Sequence, residues 1–170
     1  MPGWLVVVGI SVVLASRADA QVTAVSVKPD MVAAGGYYTI QYSFKTGAAG
    51  WAKGGGVRIE IPVAYAETEF VLWTAPQTES PDLPGYVWAV ASNNVTVGVH
   101  VEGLLRGIVE ADIRDDVPAG GTLSLFYRGQ VQGIAGQVDA RFQSRARAND
   151  PWSVGSTSRT SRCVQPARKS

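Results

Sequence analysis

The chain has 170 residues, 46% of them hydrophobic and 17% charged, with a formal net charge of +1. This length predicts one domain with short appendages, and the charge excludes the strongly basic footprint of a nucleic-acid binder. Cys163 is the only cysteine, so no intrachain disulfide can form and the core must hold by burial alone.

In chain order, "WLVVVGISVVLA" is an apolar run broken by Arg17 and Asp19 and followed by the small-residue pattern "ADA". A spanning helix needs about 20 unbroken apolar residues. The pattern therefore predicts a signal peptide over 1–20 with cleavage after Ala20, although "MPG" supplies no Lys or Arg before it. The expected mature protein is secreted or periplasmic, with no membrane attachment after cleavage. From Gln21 to Trp152 ten Lys/Arg stand against thirteen Asp/Glu, whereas 153–170 carries Arg159, Arg162, Arg168 and Lys169 and no acid. The reading is a β-sandwich domain over 21–152 and a disordered, basic Ser/Arg/Thr-rich tail over 153–170.

The dominant period is two. In "YYTIQYSFK", Tyr38, Ile40, Tyr42 and Phe44 share one face; in "VRIEIPV", Val57, Ile59, Ile61 and Val63 do so, with Arg58 and Glu60 opposite. Pro62 removes a ladder donor and points to an edge strand or a strand end. The alternation continues through "VTAVSVK", "YVWAVAS", "VTVGVHVE", "GIVEADIR", "TLSLFYRG" and "VDARFQSRARA". Between these runs "AAGG", "SNN", "DDVPAGG" and "GQVQGIAG" mark turns, and "SNNV" reads as a hairpin. The pattern predicts an all-β protein, an antiparallel immunoglobulin-like or fibronectin-like β-sandwich of about seven to nine strands.

The triplet Gly54 to Gly56 precedes a strand, whereas a phosphate cradle needs Gly ahead of a helix; the triplet reads as a structural junction. His100, the only histidine, faces outward, opposite Val97, Val99 and Val101 and beside Gly98 and Glu102 on its own strand. A catalytic site would have to combine it with Asp112 to Asp116, and no catalytic residue is assigned. Glu110, Asp112, Asp115 and Asp116 are secondary calcium candidates that lack the D-x-[DN]-x-[DN]-G spacing, so no metal and no cofactor is expected. Trp51, Tyr65, Trp73, Tyr86 and Trp88 lie in or beside the two long loops. Exposed, they would form a platform for a glycan or a protein; otherwise they plug the end of the sandwich, which is the preferred reading. In "YVWAVAS", Trp88 alternates away from Val87, Ala89 and Ala91. Asp139, Arg141, Gln143, Arg145 and Arg147 form the outward side of a final strand, read as edge protection. Asn94-Val95-Thr96 fits a glycosylation sequon.

"GGGVRIEI", "LWTAPQTESPDLPGYVWAV", "ADIRDDVPAGGTLSLFYRG" and "GIAGQVDARFQ" together resemble the N-terminal β-sandwich region of large secreted bacterial proteins of unknown function. The resemblance spans most of Gly35 to Phe142 and is most specific at Trp73, Pro76, Gln77, Pro81, Pro84 and Tyr86. It implies an accessory domain preceding a domain like metal-dependent phosphoesterases, rich in His and Asp, of which this chain has no counterpart. The expectation is a non-catalytic secreted accessory or interaction domain, for which a truncated or frame-shifted relative of a larger protein is one hypothesis and a genuine short secreted protein the other. The alternative is a carbohydrate- or protein-binding module using the Trp-bearing loops, and a hydrolase comes last. The expected partner is a protein, a glycan or a missing C-terminal domain, not a nucleic acid.

Overall fold

The computed structural model describes residues 22–29, 31–33, 35–61, 63, 73–102, 107–130, 137–138, 142–154 and 161–164. The expected signal peptide and Tyr65 lie outside the described residues. The strands are β1 (Val22–Lys28), β2 (Met31–Ala33), β3 (Tyr37–Thr46), β4 (Gly56–Glu60), β5 (Tyr86–Ala91), β6 (Val97–Glu102), β7 (Ile108–Ile113), β8 (Thr122–Gln130), β9 (Gln137–Val138), β10 (Phe142–Arg145), β11 (Ser153–Val154) and β12 (Ser161–Val164). Nine of them form two antiparallel sheets, ordered β1-β3-β8-β5 and β11-β10-β4-β7-β6, while β2, β12 and β9 form a small third sheet. The all-β sandwich expected from the period-two pattern is the fold. Among the described residues no helix is long and apolar enough to cross a membrane.

Alternation puts one side of each strand into a shared interior. Ile40, Tyr42 and Phe44 of β3 and Leu123, Leu125 and Tyr127 of β8 face Val57 and Ile59 of β4 and Val109, Ala111 and Ile113 of β7. Phe142 of β10 meets Phe44 with ring centroids 5.5 Å apart. Burying each of these branched or aromatic side chains stabilises the fold by roughly 1.5–3 kcal/mol, which is how a sandwich without staples holds.

Pro62 itself lies outside the described residues; of its two readings the strand end agrees with β4, which closes at Glu60, and the edge does not, because β4 lies between β10 and β7. Three local expectations are corrected. Asn93 and Asn94 take positive φ, 63° and 56°, as turn chemistry requires, but their turn carries the chain from β5 in one sheet to β6 in the other. It is a sheet-to-sheet crossing, not a hairpin. β10 is not a final edge strand, because β11 pairs with it through Gln143 and Ser144; Asp139 and Arg141 lie outside the described residues. Finally, the segment expected to be disordered supplies β11 and β12, the latter parallel to β2.

The glycine triplet is a junction of backbones. Gly54 has φ +79°, Gly54 N–H donates to the Ile113 carbonyl at 2.8 Å, and Ile113 N–H donates back to the Gly55 carbonyl at 2.9 Å. A Cβ on Gly55 would strike the Ala146 carbonyl, and one on Gly56 the Ala111 carbonyl. The chain can enter β4 between β10 and β7 only without side chains at these points.

Candidate functional site

The sandwich presents two outward sheet faces of different chemistry. On the five-stranded sheet, one cross-strand row runs Gln143, Arg58, Glu110, His100 and the next runs Arg145, Gly56, Asp112, Gly98. Gly56 leaves the space that lets the Arg145 guanidinium reach past β4 to Asp112 Oδ1, 2.5 Å away, and to Glu110 Oε1 at 3.0 Å. Arg58 contacts Glu110 Oε2 at 2.8 Å and Glu102 Oε2 at 3.2 Å. Trp152 roofs the network, its ring centroid 4.8 Å from the Arg58 guanidinium carbon and 4.4 Å from that of Arg145. These contacts leave Glu110 only 8% exposed although it points away from the core.

His100 stands at the rim, its side chain 56% exposed, with Nε2 3.6 Å from Asp112 Oδ2 and 3.5 Å from Arg114 Nη2. The sequence placed only Gly98 and Glu102 beside it; register adds Asp112 from the neighbouring strand. Asp112 is already bonded to Arg145, and no Ser, Thr or Cys hydrogen-bonds the imidazole among the described residues. A nucleophile-base pair therefore does not form there. The four acids do not converge. Glu110 and Asp112 belong to this network, whereas Asp115 and Asp116 follow β7, with Asp116 Oδ1 accepting from Lys53 N–H at 2.8 Å. No group of three metal-ligating side chains occurs among the described residues.

The four-stranded sheet presents rows of another kind. One crosses all four strands as Lys28, Gln41, Phe126, Trp88; beside it lie Ser26, Ser43, Ser124, Val90 and, on the other side, Thr39, Arg128, Tyr86. Trp88 stacks on Phe126 at 4.9 Å and 7° and on Tyr86 at 5.6 Å and 22°. Gln41 Nε2 donates to Ser43 Oγ at 2.9 Å and to Ser124 Oγ at 3.2 Å. Val90 and Tyr37 on this face are each 50% exposed. Arg128 Nε and Nη2 are shielded from solvent and have no acceptor among the described residues.

The five aromatic candidates divide. Trp51 and Trp73 are 1% and 2% exposed and belong to the core. For both, the preferred reading as end plugs agrees with their burial and the platform alternative is corrected: at the ends of a sandwich, where loops cross between sheets, a large ring fills volume that strand side chains cannot reach. Trp51 is held by a two-residue bridge to Val117, and Trp73 packs edge-on against Tyr127 at 5.6 Å. The Tyr127 hydroxyl donates to the Thr74 carbonyl at 2.6 Å. Burial pushes the Tyr127 and Tyr42 hydroxyls well above their ordinary pKa. Tyr86 and Trp88 do lie on an outward face. Phe126 completes their stack and had no signal beyond its place opposite Leu125 and Tyr127 in "TLSLFYRG".

No protein-family model matches the sequence, and no curated protein matches it. One solved structure, described as "AvmM Catalyzes Macrocyclization in Alchivemycin A Biosynthesis", aligns with 85% of this chain and 91% of its own at 10% identity and a TM-score of 0.40. A likeness at that level says nothing about activity.

Proposed function

We propose that this protein is a secreted, non-catalytic interaction module of the accessory-domain kind, and that it binds through the open face of the four-stranded sheet. The observation that carries the reading is the stack of Tyr86, Trp88 and Phe126, standing on a sheet face with a row of hydroxyl and amide groups beside it. Aromatic rings give apolar contact area at little conformational cost, and the Gln41–Ser43–Ser124 row offers both donors and acceptors. On the opposite face Arg58 and Arg145 are paired with Glu102, Glu110 and Asp112 and roofed by Trp152, an arrangement suited to stability. The leading signal-like segment and the resemblance to N-terminal regions of secreted bacterial proteins support secretion and an accessory role.

Amide-shift mapping on the labelled protein, with a panel of neutral and acidic oligosaccharides and short acidic and basic peptides, tests this reading. Shifts clustered on Tyr86–Ala91 and Thr122–Gln130 are expected. Shifts confined to β4, β6, β7 and β10, or chemical turnover of any probe, would overturn it.

A further inference from the structure

The charges on the two faces differ in kind: one face mixes both signs and the other, at its strand positions, carries one. The outward positions of the four-stranded sheet are Ala24, Ser26 and Lys28 of β1; Tyr37, Thr39, Gln41, Ser43 and Lys45 of β3; Thr122, Ser124, Phe126, Arg128 and Gln130 of β8; and Tyr86, Trp88 and Val90 of β5. They include three cations and no acid. Glu79 and Asp82 belong to the segment that pairs with the edge of β5, not to a strand of the face. The other sheet carries Glu60, Glu102, Glu110 and Asp112 against Arg58 and Arg145 on its outward positions. A molecule of nearly neutral total charge thus has one sheet whose described outward strand positions carry cations and no acid.

We infer that the ligand of the four-stranded face is an anionic polysaccharide, its carboxylate or sulfate groups met by Lys28 and Lys45 and its sugar rings by Gln41, Ser43, Ser124 and the Trp88 stack. The inference rests on the preceding reading of this face as the binding surface. Lys28 and Lys45 are both exposed and form no ion pair among the described residues, while the row from Lys28 to Trp88 spans about 14 Å at ordinary strand spacing, long enough for an extended chain. Arg128, whose Nε and Nη2 have no acceptor among the described residues, adds to the positive field beside Tyr86. The interface-enriched Tyr37, Tyr86, Trp88, Phe126 and Arg128 would suit a protein partner as well, but Ser26, Ser43 and Ser124 line up across three strands with Lys28 and Lys45 on either side, and Ser and Lys are depleted at protein interfaces. Hydroxyl and amide groups at the centre of the face, with Lys28 and Lys45 flanking them and aromatic rings on β8 and β5, match a ligand that is itself hydroxylated, charged and ring-shaped.

The test is calorimetric titration of the full chain with polygalacturonate, alginate and hyaluronate, with fully methyl-esterified polygalacturonate as the uncharged control and poly-glutamate as an acidic polypeptide. Binding of at least one of the three acidic glycans is expected, weakening as salt rises from 50 to 300 mM because exposed ion pairs are screened at about 10 Å in 0.1 M salt. Lys28→Gln combined with Lys45→Gln should weaken it by about two- to thirtyfold, as loss of two exposed ion pairs predicts, and unchanged affinity would overturn the role of these lysines. Trp88→Ala should weaken it too, and Phe126→Tyr, which keeps the stack, should not. Equal binding of the methyl ester would overturn the charge requirement. Preference for poly-glutamate would replace the glycan by an acidic protein and leave the binding face standing. No binding by any of the three glycans would overturn the inference, whereas amide shifts from any other probe on β5 and β8 would still uphold the face itself.

Discussion

Gly56 shows how much one missing side chain can organise. It lets β4 approach the Ala111 carbonyl and clears the path along which Arg145 reaches Asp112. Gly56→Ala should destabilise the fold by roughly 1–3 kcal/mol, the usual range for overpacking, read as a lower urea midpoint with an unchanged slope. Tyr127 gives a pH prediction at the same scale. Burial raises the pKa of Tyr127 and of Tyr42 above the unfolded value near 10, so the folded state holds both protons longer than the unfolded one. That stability is fully present below about pH 10 and is lost as pH rises beyond it. Thermal unfolding between pH 8 and pH 11.5 should show a steep alkaline decline, made shallower by Tyr127→Phe. The same variant should cost about 1–2 kcal/mol at pH 7, since the Thr74 carbonyl loses its donor.

Strands and their pairings are where the legibility of the sequence divides. Glu110→Gln removes the carboxylate that joins Arg58 of β4 to Arg145 of β10. It should destabilise by roughly 1–3 kcal/mol, less than a fully buried pair would give because both guanidiniums keep some solvent, and urea titrations with and without 0.5 M salt would measure it. The inward residues of β3 and β4 could be read directly, because a half-buried strand writes its two faces into alternate positions. The Arg145–Asp112 pair could not, since it depends on the register of three strands that are distant in sequence. "SNNV" shows a second limit. Two asparagines at positive φ mark a tight turn equally well whether the next strand joins the same sheet or crosses to the other, so local chemistry does not choose between them. The tryptophans show a third. Nothing in the composition of a loop separates a ring that covers a sandwich end, as Trp51 and Trp73 do, from one left outside, whereas the alternation within "YVWAVA" does place Trp88 outward.

Across the whole molecule, stability should be graded from the middle of each sheet outwards. β3 and β8 are flanked on both sides, as are β4 and β7, and they carry most of the buried side chains. Native-state hydrogen exchange should therefore find the slowest amides in these four strands and much faster exchange in two-residue β11. β5 is an edge of another kind. Val87 N–H donates to the Gln77 carbonyl at 2.9 Å, which covers the start of the strand; Ala89 continues the same outward row and has no partner among the described residues. Its six residues, Tyr-Val-Trp-Ala-Val-Ala, contain no charge and no proline. Such a segment on an open edge is a template for another chain to add to, and half-exposed Val90 supplies a dry contact for it. In concentrated solution, self-association should begin at this strand, and Val90→Lys should delay turbidity on storage without lowering the melting temperature by more than a degree or two. The strand that carries the aromatic stack would then also set the protein's shelf life.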